Sequence, residues 1–338
     1  MKITIVSLNF HPQIGGLENI MYGLACEWHQ QGHEVTVFTV TPGESTGYGF
    51  TVIRHLSLPK LYRFVQESDI FFEANISLKT CLIGTLFRKR WLVTQQLTYT
   101  HVQRWQEVLK NRFTNIAHNI SASRYIANTL KGKSKVIPNF YAPMFRRLPG
   151  IEKTKDIVFV GRLVSDKGAD DLLKALGIMS AKGLTFNCTI VGDGPEKETL
   201  VQLVAKQKLE GRVTFSGALR GEELVRAMNE HKIMVVPSKW PEPFGIVALE
   251  GLACGCRMVC SEDGGLAEAV SDHGLLYPNN DIAALADAIE TALQQGVPKD
   301  NELEQIDAYL NTRTSGAVSM QYMKLFLELK KTGKLTYE

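Results

Sequence analysis

Short apolar runs rich in Val and Ile alternate along the chain with stretches whose apolar residues recur every three or four positions. This is the pattern of βα units feeding a parallel sheet, because strands buried on both faces need continuous apolar residues and the covering helices need one apolar stripe. Two such series are present. The first begins with KITIVSL (2–8), crosses a Gly-Gly loop into a helix from about Glu18 to Gln31, and continues through GHEVTVFTV (32–40), DIFFEA (69–74) and RWLVTQ (90–95). The second runs through DIVFVGRL (156–163), TFNCTIVG (185–192), RVTFSG (212–217), IMVVPS (233–238), RMVCSE (257–262) and GLLYP (274–278), with helical patterns between. The stretch APMFRRLPGIEKTK (142–155) combines prolines, a glycine and charges, which predicts a linker with a domain boundary near Gly150. The expectation is an α/β protein of two doubly wound, Rossmann-like domains, 1–150 and 151–314, facing each other across a cleft. A closing helix over 315–332 can pack back on the first domain or across the second.

A length of 338 residues with 44% hydrophobic and 22% charged residues fits two packed domains and excludes a disordered or fibrous chain. The opening MKITIVSLNF is too short for a leader or a membrane span, so a cytoplasmic location is expected. Six cysteines lack the spacing of a disulfide framework, and Cys254, Cys256 and Cys260 have no accompanying His or second CxxC, so no metal is expected there. Charge is uneven. Residues 1–155 carry 19 Lys+Arg against 9 Asp+Glu, while the whole chain nets only +3, so the second half is acidic. The basic first half suits an anionic partner such as a phosphate-bearing acceptor or a lipid surface, and reads equally as solvated surface charge. Within it, CLIGTLFRKRWL (81–92) joins an apolar run to Arg88, Lys89 and Arg90, and reads either as membrane-surface contact at the inner face or as a core helix entering a buried strand.

Open parallel sheets bind ligands at the carboxyl ends of their strands, and the chemistry-bearing motifs fall there. VGRLVSDKG (160–168) brings Gly161, Arg162 and Lys167 to a turn before a helix, whose first N–H groups and dipole favour anions. VGDGPEKETL (191–200) repeats the arrangement with Asp193, and on its own reads more readily as a simple bend than as a binding turn. Gly15 and Gly16 permit close backbone approach to a phosphate or sugar. They do not make a G-x-G-x-x-G fingerprint, and no Walker loop occurs, which lowers hydride transfer and ATP hydrolysis. In WPEPFGIVALEGLACG (240–255), Glu242 precedes a predicted helix ending at Gly255, and Glu250 lies within it. The amides of Phe244, Gly245, Ile246 and Val247 can hold phosphate or sugar oxygens while the two carboxylates accept from hydroxyls at opposite ends of a ligand. A polyhydroxylated diphosphate satisfies all of these groups.

These motifs, with FHPQIGGLENIMYGLACEWHQQGHEVTVFT (10–39), KVIPNF (135–140) and GGLAEAV (264–270), resemble the retaining, nucleotide-sugar-dependent glycosyltransferases of the GT-B fold with a Glu-x7-Glu motif, the group 1 or family 4-like enzymes. The resemblance implies a hexosyltransferase taking a UDP-sugar, with GDP-sugar next, and a glycan, glycolipid or lipid-linked acceptor, with peripheral membrane contact and no nucleic-acid partner. Arg162 and Lys167 would neutralise the diphosphate in place of a metal ion, so no metal or other cofactor is implied. Glu242 with the Phe244–Ile246 backbone would hold the sugar, Glu250 the ribose, Gly15 and Gly16 the phosphates, and the region of Arg212 and Val213 the base.

The chain departs from the family pattern on the acceptor side. Gln95 and Gln96 follow LVT where many members have a histidine, and His101 is the candidate replacement. VIPNFYA lacks the usual Gly and Asp, and the first domain is short. A noncatalytic or partner-dependent sugar-nucleotide-binding subunit, and a nucleotide-sugar epimerase of the same fold, are the alternatives.

Overall fold

Every strand in both sheets runs parallel to its neighbours. The structure, a computed structural model, describes residues 1–13, 15–99 and 104–337. It divides into two units, Met1–Phe140 with Arg313–Glu338, and Tyr141–Thr312.

Unit 1 runs β1 (Lys2–Val6), α1 (Gly16–Gln30), β2 (Glu34–Phe38), β3 (Thr51–Ile53), α2 (Leu58–Glu67), β4 (Ile70–Ala74), α3 (Cys81–Leu86), β5 (Trp91–Gln95), α4 (Trp105–Phe113), β6 (His118–Ser121), α5 (Arg124–Ala127) and β7 (Ser134–Val136). Its seven strands lie in the order β3-β2-β1-β4-β5-β6-β7. Three of them, β3, β6 and β7, escape the apolar-run pattern because they are short and partly polar. Asn119 on β6 is nonetheless fully buried, since its amide is satisfied: it donates to the Thr114 and Lys133 carbonyls at 2.7 and 3.0 Å and accepts from Gln95 at 3.0 Å.

Unit 2 runs β8 (Lys155–Val160), α6 (Ala169–Ala181), β9 (Cys188–Val191), α7 (Lys197–Lys206), β10 (Val213–Gly217), α8 (Gly221–Glu230), β11 (His231–Val236), α9 (Ile246–Ala253), β12 (Arg257–Ser261), α10 (Leu266–Val270), β13 (Gly274–Tyr277), α11 (Ile282–Gln295) and α12 (Asp300–Asn311). Its six strands follow β10-β9-β8-β11-β12-β13. The closing helix α13 (Ser315–Thr332) belongs to unit 1. There its Phe326 and Tyr322 pack on Trp28 of α1 and Phe72 of β4, with ring centroids 5.0 to 6.1 Å apart, and the Tyr322 hydroxyl lies 3.0 Å from Thr94 Oγ1.

The two units divide between Phe140 and Tyr141, ahead of the Gly150 boundary that composition suggests. Side chains explain why residues 146–153 go with unit 2. Asn229, at the end of α8, donates to the Arg146 carbonyl at 2.9 Å and accepts from the Leu148 N–H at 2.8 Å. The Lys153 ammonium donates to the His231 and Cys254 carbonyls, each at 2.9 Å. Proline and glycine mark a segment without regular structure; they do not say which domain holds it.

Beneath α2 and α3 a second apolar layer of unit 1 gathers Phe38, Leu61, Val65, Phe71 and Trp91 around one carboxyl group. Glu73 is buried, accepts from the Trp91 indole N–H at 3.0 Å and from the Thr80 hydroxyl, and burial pushes its carboxyl up to about 8. The unfolded chain releases this proton near about 4.3, so the folded state holds one proton more between the two values, and rising pH favours unfolding across that window. We expect the urea midpoint contributed by unit 1 to fall between about pH 5 and pH 8 and then level off, and Glu73→Gln, which keeps an acceptor but cannot ionise, to flatten this slope. Parallel slopes for the two proteins would remove Glu73 as the cause.

Candidate functional site

In unit 2 the strand order reverses between β8 and β11, so the loops leaving their carboxyl ends diverge and open a crevice. Residues 161–168 follow β8 and residues 237–245 follow β11. The two loops are joined backbone to backbone. Gly168 has φ 71°, and a Cβ there would sit 1.8 Å from the Pro237 carbonyl oxygen. The Asp166 carbonyl accepts from the N–H groups of Lys239 and Trp240 at 2.9 and 3.3 Å. Lys239 also pairs with Asp170 and Asp171 on α6 at 2.7 and 3.2 Å. This stitching sets Lys167 Nζ 2.5 Å from Glu242 Oε1, and the Ser238 hydroxyl donates to the same oxygen at 2.8 Å. Lys167 and Glu242 are half-buried, which makes the pair less screened than a surface one. An ammonium has three N–H donors, so Lys167 can hold Glu242 and a further anion together.

A third loop fixes the Glu242 backbone. Gly264 pairs with it in a parallel bridge, the Gly265 N–H donates to its carbonyl at 2.6 Å, and a Cβ on Gly264 would come within 2.5 Å of that oxygen. Gly245, at φ 95°, then starts α9. This helix is apolar along most of its length, with Ala248, Leu249, Leu252 and Ala253 buried. Both α6 and α9 begin at a left-handed glycine with no side-chain cap. The Asp171 and Ala248 N–H groups donate back to the Gly168 and Gly245 carbonyls, each at 3.0 Å, and no side chain caps the amides that precede them, where a ligand's oxygens can approach. Phe244 is buried beside this turn, and Ile246 and Val247 form the start of α9. Glu250 lies one turn further, and burial pushes its carboxyl up to about 7.

Of the other expected residues, Gly161 and Arg162 belong to the same loop, with Arg162 exposed. Asp193 is also at the carboxyl edge, but its side chain accepts from the Gly194 N–H at 2.9 Å and its carbonyl accepts from Leu163. It shapes a turn that glycines at 192 and 194 allow to lie against residues 161–163. Arg212 and Val213 need correction. Val213 opens β10 at the amino end of the sheet, and Arg212 donates to the Leu184 carbonyl at 2.6 Å and lies over the Phe186 ring. Four strand steps of about 3.3 Å separate them from the carboxyl edge, so a base bound at the crevice is out of their reach. Gly15 and Gly16 start α1 at the switch point of unit 1, between β1 and β4. His101 lies outside the described residues. Gln95 and Gln96 are buried in an amide network, with Gln96 and Asn139 exchanging two hydrogen bonds of 3.0 and 2.7 Å.

Sequence reasoning missed Ser238, Lys239 and the role of Gly264 and Gly265. The glycine pair was visible as a motif, whereas Ser238 and Lys239 carried no signal. Cys254, Cys256 and Cys260 are buried, and burial pushes Cys254 and Cys260 up to about 12. A hollow of about 380 Å³ between α6 and α7 includes neither Lys167 nor Glu242.

Residues 143–309, which contain this whole crevice, match the sequence model of the family described as glycosyl transferases group 1. The chain belongs to the group 1 glycosyltransferases. As a glycosyltransferase it is an enzyme of the hexosyltransferase class. It is 27% identical over 343 residues to an uncharacterized glycosyltransferase of Methanocaldococcus jannaschii, covering 83% of this chain and 86% of that protein. It is 25% identical over 336 residues to the phosphatidylinositol N-acetylglucosaminyltransferase gpi3 subunit of Schizosaccharomyces pombe, covering 86% and 72%. The fold is similar to that of HepE of Anabaena, solved in complex with UDP, with TM-score 0.80, 20% identity and coverage of 97% of this chain and 100% of that one. A second structure of HepE, in complex with UDP-glucose, gives TM-score 0.76. These neighbours show that the two Rossmann-like units have the GT-B fold.

Because Gly264 has φ 84° and no room for a Cβ, Gly264→Ala is expected to destabilise unit 2 by about 1–3 kcal/mol and to shift Glu242 away from Lys167. Urea unfolding measures the first effect. An unchanged midpoint would mean that the 264–265 loop does not hold the Glu242 backbone.

Proposed function

We propose that this glycosyltransferase moves a hexosyl group from a nucleotide-diphosphate sugar to a glycan, glycolipid or lipid-linked acceptor, with retention of configuration and without a metal ion. The carrying observation is the Lys167–Glu242 pair at the switch point of unit 2, beside two helices that start at uncapped glycines. In this reading Arg162, Lys167 and the first amides of α9 carry the negative charge that grows on the departing diphosphate. Glu242, fixed from three sides, accepts from hydroxyls of the donor sugar, with the Phe244–Val247 backbone beside it. Glu250 accepts from the ribose. The bond from the anomeric carbon to the diphosphate oxygen breaks, the acceptor oxygen bonds on the same face, and its proton passes to a phosphate oxygen. The base belongs beyond the carboxyl end of β10, from Gly217 on. A UDP-sugar is the favoured donor and a GDP-sugar the next, a choice supported by HepE, which was solved with UDP and UDP-glucose. The reaction is placed in the cytoplasm, at the inner face of a membrane where the acceptor is lipid-linked. No described helix is long and apolar enough to cross a membrane.

A partner-dependent role is the second reading, favoured by the similarity to a Schizosaccharomyces pombe protein that is named as a subunit. Sugar transfer by the purified chain alone excludes it.

Saturation-transfer NMR with UDP-, GDP- and ADP-sugars identifies the donor, and binding of none of them counts against the reading. Lys167→Ala and Glu242→Ala are each expected to lower transfer at least about 10²-fold, the scale for losing one transition-state electrostatic contact. Near-normal rates in both would falsify the site assignment.

The Glu250 carboxyl, held up to about 7, gives a second test. Its carboxylate accepts from two hydroxyls better than its neutral form, so donor affinity should rise as pH passes from about 6 to about 8 and then level off. The intact sugar nucleotide is the ligand to use, since its diphosphate diester does not ionise in this range. Glu250→Gln should bind more weakly at the upper pH and show a flat profile by calorimetry. A flat wild-type profile would take Glu250 out of the ribose site.

A further inference from the structure

The 81–92 stretch is at once core and surface. Its inner side is buried: Trp91 lies within the sheet, and Gly84 allows α3 to rest on it, since a Cβ there would meet the indole at 2.3 Å. The outer side of α3 presents Leu82 and Leu86, four residues apart, at 78% and 64% exposure. On α2, Leu58 and Tyr62 repeat the spacing at 44% and 39%, while Leu61 and Val65 take the buried face. The Tyr62 and Phe87 rings meet at 5.5 Å and join the two helices, so the four side chains share one side of unit 1.

Charge on the same elements is one-sided. Lys60 and Arg63 on α2, and Arg88 and Lys89 after α3, are exposed. Arg90 lies 4.9 Å over the Phe87 ring and donates to the Ser68 carbonyl, which closes the gap between the helices. Among the carboxylates between residues 58 and 90, Asp69 pairs with Lys330 at 2.9 Å, and Glu73 is buried with its proton held up to about 8. Glu67 is the one exposed carboxylate in that stretch.

We propose that the α2–α3 face of unit 1 docks on an anionic lipid bilayer, with Leu58, Tyr62, Leu82 and Leu86 entering the headgroup boundary and Lys60, Arg63, Arg88 and Lys89 meeting lipid phosphates. Protruding leucines rimmed by cations match a surface that is apolar beneath and negative at its rim. A soluble acidic protein would match the charge and leave Leu82 and Leu86 in water. The assignment rests on the proposed lipid-linked acceptor only for the reason to reach a bilayer; the surface itself is tested separately.

The test is co-sedimentation of the full chain with vesicles of phosphatidylcholine alone and of equimolar phosphatidylcholine and phosphatidylglycerol, at low and at raised salt. The expected result is binding to the anionic vesicles, weakened by salt and negligible for phosphatidylcholine alone. Leu82→Ser with Leu86→Ser, and separately Arg88→Gln with Lys89→Gln, should each weaken it about tenfold or more, with thermal unfolding and sugar-nucleotide binding unchanged. Equal binding to both vesicle types, no binding to either, or wild-type binding by either double variant would overturn the proposal. So would a concentration-dependent dimer abolished by the leucine variant in a chain that ignores vesicles, since the occupant would then be a second copy. Vesicle binding without sugar-nucleotide binding would sink the transferase reading and leave this surface standing.

Discussion

Three loops at the carboxyl edge of unit 2 approach one another more closely than any side chain permits. The segment ending at Gly168 lies against the Pro237 carbonyl, and the Gly264–Gly265 pair lies against the backbone of Glu242 and Pro243. Everything that makes this edge chemically unusual depends on that contact. With the backbones in place, Lys167 reaches Glu242 without extending into solvent, and Ser238 completes the carboxylate's hydrogen bonding. Holding a charged pair in one geometry costs side-chain entropy, which is why exposed pairs contribute little to stability. Here the cost is met largely by the turns, which leave the pair already arranged.

How much of this was readable beforehand differs by level. Both Rossmann-like units were legible, because long apolar strands and amphipathic helices leave strong periodic signals. The short strands β3, β6 and β7 were not, since their burial relies on satisfied polar groups such as Asn119 rather than on apolar runs. At the site, the Gly-Arg-Leu turn and the Glu-Pro-Phe-Gly turn were visible, as glycine at a fixed place in a strand-to-helix turn has a steric reason. Arg212 was misplaced because a sequence shows that a residue borders a strand but a ligand sees which end of the strand it borders. Ser238 and Lys239 were silent, since their partners lie on other loops.

On the proposed reading, the acidic second half nevertheless carries the anion-binding chemistry. Net charge acts over distances that salt screens within about 8 Å at physiological ionic strength, whereas Lys167 and the helix N-termini act at contact. Acidic residues such as Asp170 and Asp171 are already held by Lys174 and Lys239. Their charge is spent on bracing α6 against the 237–240 loop.

The switch point of unit 1 has the same local plan as that of unit 2. It too has a strand, a glycine pair and a helix, and α1 starts at Gly15 with no side-chain cap. But Glu18, in the first turn of α1, is buried, and its carboxylate lies where a Cβ on Gly15 would come within 2.3 Å of it. A carboxylate there already complements the positive end of the helix and would repel a second anion. Gly15 and Gly16 therefore open a helix whose start is already faced by an acidic side chain. The two switch points share their topology and an uncapped glycine start, and both carry first-turn carboxylates: in unit 2 Asp170 and Asp171 are held by Lys174 and Lys239, whereas Glu18 faces the start of its own helix.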